Sequence, residues 1–266
     1  MNSDYNRVKG SRRAAQETLM EFQDHFSNHA DEYARFRPGY PEELYDFLAS
    51  LVPGSGTAWD CATGNGQAAV SLARRLRFVA ATDASLRQLA RAHRDPKVGY
   101  VAALADATPL RDASIDLTTV ALALHWFDQD RFYEEVRRVV KPGGVLACWT
   151  YHLQRVDAKV DAVVQRLYSD VLGGYWAPEI RHVETGYQSL AFPFEEIPHR
   201  PFCVGARWNL ARLAEFMGTW SASRKYFEET GRKAVDEVRG ELAEAWGDPR
   251  ETREIVWDLH LRVGRV

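Results

Sequence analysis

An acidic residue and two glycines lie close together near residue 60, in the stretch WDCATGNGQ. Asp60, Ala62, Gly64 and Gly66 occupy alternate positions, in the pattern D-x-A-x-G-x-G. Glycines let the backbone turn sharply and approach a ligand, and the first amide groups of a following helix bind polar groups. We therefore expect this stretch to bind a ligand between a strand and a helix.

Two kinds of nucleotide site compete for this pattern. A triphosphate-binding loop requires G-x-x-x-x-G-K-[ST], and GNGQAAV has no lysine at the required place. The dinucleotide pattern G-x-G-x-x-G/A is satisfied by GNGQAA, and Asp83 follows Gly66 by 17 residues. However, a buried carboxylate at Asp60 would repel a pyrophosphate. The arrangement suits a ligand that carries a positive charge.

Strand-like and helix-like segments alternate regularly through the first 150 residues. We predict, in order, a strand over 57–62, a helix over 67–76, a strand over 78–83, a helix over 85–93, strands over 98–103 and 115–124, a helix over 130–140 and a strand over 144–151. This order predicts a Rossmann-like, doubly wound α/β sheet with mostly parallel strands. Ligands of such sheets bind at the carboxyl ends of the strands, where the glycine turn lies.

The rhythm changes beyond residue 151. We predict a helix over 156–172, a strand within the Pro-bounded segment 198–210, and a mostly helical stretch over 210–246. The segment EIVWDLHLRV alternates between apolar and polar residues, which predicts a final antiparallel edge strand. We expect one domain, with a helical amino-terminal cap over 1–50, a ligand-binding core over 51–151, helical insertions with one strand over 152–250 that cover the site, and the final strand over 251–266.

The composition restricts the class of partner. The 266 residues carry a formal net charge of −3, which argues against the basic face that nucleic-acid binding requires. No apolar run is long enough to span a membrane, and the polar amino terminus lacks a secretory signal, so we expect a cytoplasmic protein. Cys61, Cys148 and Cys203 show no metal-binding spacing and are expected to be buried packing residues.

Five segments in this order resemble the successive motifs of class I S-adenosylmethionine-dependent methyltransferases with a methyltransferase type 11 domain. They are WDCATGNGQAA, TDAS, ADATPLRDASID, ALALHWFD and RVVKPGGVLACWTY, and the resemblance covers about residues 26–151. The segments FSNHADEYARFRPGYPEELYDFL, MGTWSASRKYFEE and IVWDLHLRVGR are similar to the trans-aconitate methyltransferase-like branch, which acts on small molecules.

The resemblance implies that S-adenosylmethionine is the cofactor and S-adenosylhomocysteine its product. The implied cofactor-binding residues are Asp60, Ala62, Gly64, Gly66, Asp83, Ala84, Ala105, Asp106, Tyr33 and Arg37. The family commonly has glycine where this chain has Ala62, which is still small. Asp83 would accept hydrogen bonds from the ribose hydroxyls, and Asp106 with the backbone of Ala105 would meet the adenine amino group. Alternatively, Asp83 caps the next helix and Asp106 lies in an ordinary turn.

His125 follows the fourth predicted strand, so we expect it to project with Trp126 at the mouth of the site. It would act as a base if the acceptor is a hydroxyl, and would only orient an acceptor that is already an ionised carboxylate. A packed histidine without a chemical role is the alternative. The expected substrate-contacting residues are Tyr40, Trp126, Tyr151 and Trp176. Beyond residue 150, the aromatic residues that could cover the acceptor are Tyr151, Tyr175, Trp176, Tyr187, Phe192, Phe194 and Trp220. We expect more than half of them to be core residues instead.

The sequence thus predicts a methyltransferase that transfers a methyl group in line to a carboxylate or hydroxyl of a small molecule. No metal is required, because a sulfonium methyl group is already electrophilic. The alternatives are transfer to carbon or nitrogen, a nicotinamide-dependent oxidoreductase on the same fold, and a methyltransferase-like scaffold without activity. The sequence leaves open whether the protein is a monomer or a dimer.

Overall fold

The computed structural model describes residues 38–54 and 56–266 of the chain. Of the predicted amino-terminal cap, the described part contains one helix, Glu42–Ser50, which begins directly after Pro41. The rest of the predicted cap, with Tyr33 and Arg37, lies outside the described residues.

Strands and helices alternate along the described chain. The strands are β1 Thr57–Cys61, β2 Phe78–Asp83, β3 Val98–Ala102, β4 Ile115–Ala121, β5 Val140–Thr150, β6 Glu195–Glu196, β7 Phe202–Trp208 and β8 Arg253–Arg265. The α-helices are α1 Glu42–Ser50, α2 Gln67–Ala73, α3 Leu86–Ala90, α4 Gln129–Val139, α5 Ala158–Arg166, α6 Ile180–Glu184, α7 Leu210–Gly218, α8 Ser221–Thr230 and α9 Arg239–Trp246. A 3₁₀ turn over Leu124–Trp126 and a π turn over Leu167–Val171 also matter below.

The eight strands form one sheet in the order β3-β2-β1-β4-β5-β8-β6, and β7 also pairs with β8. The first five strands of this order are parallel, and β8 runs antiparallel to β5. The predicted α/β class with a mostly parallel, doubly wound sheet is therefore confirmed. The short strand β6 pairs with Gly264 and Arg265 of β8, which also pair with β5, so β6 lies on the opposite side of β8. The strand β7 pairs with Arg253–Leu259, the part of β8 that precedes its pairing with β5.

Apolar side chains pack against both faces of the sheet. Along β5, Val145, Ala147 and Trp149 belong to one buried cluster, whereas Leu146 and Cys148 belong to the other. Successive residues of a strand point to opposite faces, so a strand that is apolar throughout must be covered on both sides. The sheet is thus held rigidly between two layers, and its strand ends have fixed positions.

The structure shifts the predicted boundaries near the carboxyl end of β4. We expected this strand to continue to residue 124, but it ends at Ala121. Leu122 then adopts a left-handed backbone with φ of 55°, and the chain turns into the 3₁₀ turn that contains His125. Residues 122–124 were interpreted as strand because an apolar run does not distinguish a strand from a buried turn.

Two other expectations also need correction. The predicted helix over 156–172 starts after Asp157, whose side chain accepts hydrogen bonds from the amides of Lys159 and Val160, and passes into the π turn at Leu167. Cys203 is exposed rather than buried, whereas Cys61 and Cys148 are buried as predicted. In β7 the buried positions alternate, so Cys203 points away from the core.

Candidate functional site

A cavity of about 1110 Å³ opens at the carboxyl ends of the parallel strands. The residues that follow four neighbouring strands line it: Ala62 after β1, Ala84 after β2, Ala103 after β3 and Leu122 after β4. The chain leaves β1 toward β2 on one side and returns to β4 on the other, which leaves a crevice at this point of the sheet. We call it the large cavity.

The glycine turn forms one wall of the large cavity. Ala62, Gly64 and Gly66 all adopt left-handed backbone conformations, with φ of 53°, 57° and 81°. Gly66 ends the turn and precedes α2, and a Cβ atom there would lie 2.1 Å from the hydroxyl of Tyr100. Gly64 has open space around its Cα. Glycine is thus required sterically at Gly66, whereas at Gly64 only the conformation favours it.

Asp60 lies at the base of this wall and is almost fully buried. Its two carboxylate oxygens accept hydrogen bonds from the hydroxyls of Thr63, at 2.5 Å, and Thr119, at 2.7 Å. Burial raises the pKa of Asp60 to about 6, assisted by the negative charge of Asp83 and opposed by the two threonine hydroxyls. A positively charged ligand in the cavity would favour the ionised carboxylate and would be attracted by it.

Asp83 ends β2 and points back toward the glycine turn. One carboxylate oxygen accepts a hydrogen bond from the amide of Gly64, and the other from the amide of Ser85, both at 2.8 Å. Ser85, not Asp83, caps α3, because its hydroxyl accepts the amide of Gln88. Asp83 therefore links the ends of two adjacent strands, and its carboxylate lines the large cavity.

Asp106 lies farther along the same wall, after β3. Its carboxylate pairs with the guanidinium of Arg131 at 2.8 Å, and the arginine side chain is largely exposed. Ala105 and Asp106 both line the large cavity, next to a short bridge between Leu104 and Ala107. This segment is a turn that presents its backbone to the cavity.

A second, smaller cavity of about 100 Å³ adjoins the large one, and we call it the annex. Its side walls are mostly aromatic: His125, Trp126, Tyr151, His152, Tyr168, Trp176 and Trp220. Trp126 and Trp176 line both cavities. The Trp176 indole donates a hydrogen bond to the carbonyl of Tyr168 at 3.0 Å, and the two rings pack with centroids 4.6 Å apart. The Trp176 side chain is therefore held as a fixed partition between the two cavities.

His125 lies in the annex and not at the mouth of the large cavity, where we expected it. Its side chain is 7% exposed, and its Nδ1 atom lies 3.0 Å from the hydroxyl of Tyr187. Burial lowers the pKa of His125 to about 3, and the nearby His182 lowers it further. The early end of β4 explains why His125 is not where we expected it. The strand ends at Ala121, so His125 lies within the 3₁₀ turn Leu124–Trp126, among the residues that line the annex.

The structure brings most of the predicted site residues to one cavity. Asp60, Ala62, Gly64, Asp83, Ala84, Ala105, Asp106, Tyr40, Trp126 and Trp176 line the large cavity. Gly66 lies behind the turn, and His125 and Tyr151 line the annex. Tyr33 and Arg37 lie outside the described residues. The predicted roles of these residues are taken up below as proposals.

Some of the aromatic residues beyond residue 150 belong to the core, as we expected for more than half of them. Phe192 and Phe194 pack against Tyr133, with ring centroids 6.4 and 5.4 Å away, on the face of the sheet that α4 covers. Tyr187 is fully buried, and its hydroxyl contacts Nδ1 of His125. Aromatic composition alone does not show which side of a layer a ring will face.

Sequence reasoning also missed one side of the large cavity. Ser221, Arg224 and Lys225 line it from α8, and Gln88 lines it from α3. These α8 residues belong to the segment MGTWSASRKYFEE, which we had singled out only for its family resemblance. The available signal was a pair of adjacent basic residues after a serine, which is common on solvated helices.

Two negative findings apply to the described part of the chain. Among residues 38–54 and 56–266, no group of three histidine, cysteine, aspartate or glutamate side chains could hold a metal ion. None of the helices in these ranges combines the length and the apolar character that crossing a membrane requires.

Comparisons with known proteins agree with this geometry. A family model described as a methyltransferase domain matches residues 59–148. A structure from Anaeromyxobacter dehalogenans, assigned as a type II methyltransferase, is 43% identical over 86% of this chain and 98% of its own, with a TM-score of 0.81. A protein of Dictyostelium discoideum named as a methyltransferase is 29% identical over 233 residues, 86% of this chain and 89% of its own length.

A third relative matches over a shorter range. The malonyl-[acyl-carrier protein] O-methyltransferase of a Marinomonas species is 35% identical over 128 residues, which is 46% of this chain and 47% of its own length. The Anaeromyxobacter structure, in contrast, is matched over nearly its whole length. The matched domain includes the glycine turn and the strand ends that line the large cavity. The chain therefore belongs to the class I S-adenosylmethionine-dependent methyltransferases, and S-adenosylmethionine is its cofactor.

Proposed function

We propose that this enzyme transfers the methyl group to a carboxylate oxygen of a small organic molecule, with a hydroxyl oxygen as the second candidate. The observation that carries the proposal is the buried His125 in an aromatic annex beside the cofactor cavity, where burial lowers its pKa to about 3. The large cavity, at about 1110 Å³, exceeds the roughly 300–1,000 Å³ typical of a site for one small ligand. The two cavities together have room for the cofactor and a small acceptor.

One wall of the large cavity carries Asp60, Asp83 and Asp106, and we call it the acidic wall. Its residues fit the cofactor. Asp60 is a buried carboxylate with a raised pKa, and it gains an electrostatic partner when a cation binds nearby. Gly64 leaves open space at the turn, and Asp83 presents a carboxylate with acceptor capacity for hydroxyl groups. We assign Asp60, Ala62 and Gly64 to the methionine part, Asp83 and Ala84 to the ribose, and Ala105 and Asp106 to the adenine. Gly66 supports the turn without lining the cavity.

The acceptor belongs at the junction of the large cavity and the annex. Trp126 and Trp176 line both cavities, while Tyr40 borders the large cavity and Tyr151 the annex. Their rings supply apolar surface and exclude water from the reacting atoms. The helix α8 contributes two basic residues and one acidic residue to the wall, Arg224, Lys225 and Glu228. The excess of positive charge on this wall favours an anionic acceptor.

The state of His125 distinguishes the two oxygen acceptors. When bound, S-adenosylmethionine supplies a methyl group on a positively charged sulfur, which needs only a nucleophile aligned behind it. A hydroxyl acceptor must lose a proton, and an imidazole with a pKa of about 3 is a poor base near neutrality. A carboxylate is already ionised, so His125 has only to hold it in place. The named activity of the Marinomonas relative, an O-methyltransferase, is consistent with oxygen as the acceptor atom.

The experiment is a transfer assay with S-adenosylmethionine labelled in its methyl group, against carboxylic acids, phenols and amines. Calorimetric titrations with S-adenosylmethionine and S-adenosylhomocysteine come first. We expect carboxylic acids to be labelled as methyl esters, with kcat independent of pH from about 6 to 9. Labelling of amines alone would overturn the proposal. A phenol acceptor with a rate that rises with pH would support the hydroxyl alternative instead.

Variants of His125 separate a hydrogen-bond donor from a base. We expect His125→Ala to lower kcat/KM about thirtyfold, the value of a hydrogen bond to a charged group. His125→Gln keeps an N–H donor near the position of Nε2 but cannot act as a base, so it should recover most of this loss. Equal losses in both variants would contradict the orienting role. His199→Ala, an exposed histidine outside both cavities, is the control.

A further inference from the structure

Tyr187 is fully buried and contacts His125 through its hydroxyl group. Its hydroxyl oxygen lies 3.0 Å from Nδ1 of His125, and the ring centroids are 5.9 Å apart. Neither cavity includes Tyr187 among the described residues that line it. The tyrosine can thus act on the acceptor only through His125.

The backbone around Tyr187 is held in an uncommon conformation. Tyr187 has a left-handed φ of 66°, which is rare for a bulky residue and persists only where the surroundings impose it. Its amide donates a hydrogen bond to the carbonyl of His182 at 2.7 Å, and its own carbonyl accepts one from Arg262 at 3.1 Å. Gly186, with φ of 58°, packs so closely on His260 that a Cβ would lie 2.6 Å from the ring. The position of the hydroxyl is therefore fixed.

The hydrogen bonds at the Tyr187 oxygen decide where its proton goes. Among the described residues, Nδ1 of His125 is the acceptor within hydrogen-bonding distance of the Tyr187 hydroxyl, at 3.0 Å, and the nearby Thr150 hydroxyl makes no hydrogen bond. Burial raises the pKa of the Tyr187 phenol above its usual range, so the phenol stays protonated. The phenol proton is therefore directed at Nδ1 of His125, which accepts it. A neutral imidazole carries one proton, and this proton is consequently on Nε2.

The remaining nitrogen of His125 is available to the annex. Within the described part of the chain, no hydrogen bond to Nε2 is present, and this atom does not belong to the fully buried polar atoms. We infer that Tyr187 is a positioning residue that fixes His125 with its proton on Nε2, so that the annex offers a hydrogen-bond donor to a deprotonated acceptor oxygen. The inference deepens the proposed function and rests on it for the identity of the acceptor.

The Thr150 hydroxyl provides the competing arrangement. It lies near the Tyr187 oxygen but makes no hydrogen bond in this structure. If the phenol donated its proton to Thr150, His125 would instead donate from Nδ1 to the phenol and would present a bare Nε2, which is an acceptor. The two arrangements differ by the position of one proton on the imidazole ring, so they can be distinguished without any substrate.

The test is nuclear magnetic resonance of the whole protein with ¹⁵N-labelled histidine, with the His125 signals assigned from the His125→Gln variant. We expect the neutral, Nε2-protonated form in the wild type at pH 7. In Tyr187→Phe, which keeps the ring and removes the hydroxyl, we expect a mixture of the two tautomers. Tyr133→Phe is the matched control, because it removes another buried tyrosine hydroxyl, which donates to the carbonyl of Ala191. Its His125 spectrum should match the wild type.

An Nδ1-protonated or a charged His125 in the wild type would overturn the inference, even if Tyr187→Phe failed to fold. An unchanged tautomer in Tyr187→Phe would overturn the role of Tyr187. In the transfer assay we expect Tyr187→Phe to lower kcat/KM about fivefold with an unchanged Kd for S-adenosylmethionine. If the tautomer is as inferred but no carboxylic acid is methylated, the proposed function fails and the positioning role stands.

Discussion

The acidic wall of the large cavity and the annex place their ionisable groups by different means. Asp60 and Asp83 lie at the ends of adjacent strands, joined through one short turn and one helix. The annex is assembled from segments far apart in the chain, since it combines residues near 125, 152, 176 and 220. The acidic wall is therefore formed by residues close together in the chain, whereas the annex forms only when the insertions beyond residue 151 pack onto the sheet.

The two regions also differ in how burial acts on charge. Burial raises the pKa of Asp60 to about 6 and lowers that of His125 to about 3, so both groups are pushed toward neutrality. A cation bound beside Asp60 reverses the first effect. His125 faces aromatic walls and a phenol, and it remains neutral. The charge of the acidic wall therefore depends on whether a cationic ligand is bound beside Asp60. The annex offers an uncharged contact through His125.

The largest effect on stability is expected from a substitution in the glycine turn beside the acidic wall. Gly66→Ala places a Cβ 2.1 Å from the Tyr100 hydroxyl in a left-handed conformation. We expect it to lower the free energy of unfolding by about 4 kcal/mol, combining steric overlap and backbone strain. Gly143→Ala has a similar φ of 78° and open space, so it should cost only about 1 kcal/mol. Equal losses in urea unfolding would show that Tyr100 yields easily.

The second prediction concerns Asp60 and pH. Because its pKa in the folded, ligand-free protein is about 6, above the ordinary value of 3.8, the folded state binds a proton more tightly than the unfolded state. Stability from this group is present below pH 4 and is lost as the pH rises through 6, by about 3 kcal/mol. Asp60→Asn should remove this loss and be more stable above pH 7 by a similar amount. Urea unfolding across pH 4 to 8 measures the difference.

The substitution Asp60→Asn should also weaken cofactor binding. The variant is thus expected to gain stability above pH 7 and to lose affinity for S-adenosylmethionine. We expect the Kd for S-adenosylmethionine to rise about a hundredfold in Asp60→Asn at pH 8, by calorimetry. Asp116 is the control at the opposite end of the sheet, where burial is outweighed by Lys141 and the Thr57 amide and the pKa is lowered. Asp116→Asn should lose stability and keep the Kd. A lower stability in Asp60→Asn would contradict the argument.

The smallest of these four effects is expected in the annex. Trp176→Ala removes the partition between the two cavities, and we expect KM for the acceptor to rise about tenfold while the Kd for S-adenosylmethionine changes less than threefold. Trp208→Ala is the matched control, because this half-buried indole packs on Phe216 and Trp257 and lines neither cavity. A tenfold change in cofactor binding by Trp176→Ala would mean that the partition also holds the cofactor.

Much of the parallel core was predictable, because each element there carries its own signal. The strand ending at Asp83 and all five residues of β1 were placed correctly from apolar runs, and the glycine turn from its composition. The end of β4 was not, because an apolar run indicates burial but not backbone conformation. His125 was therefore expected at the mouth of the site, whereas it lines the annex. Ala62 was noted for its small size, while its left-handed φ of 53° was invisible in the sequence.

The sequence by itself determined the succession of strands and helices of the parallel core along the chain, the turn between β1 and α2, and the two carboxylates beside this turn. Periodicity and glycine positions act through near neighbours, so they can be interpreted locally. Only the tertiary structure decided that Tyr187 would meet His125, 62 residues away, and that the annex would close around them. Burial and hydrogen bonding between distant segments depend on how whole layers pack, and no short stretch of sequence encodes that packing.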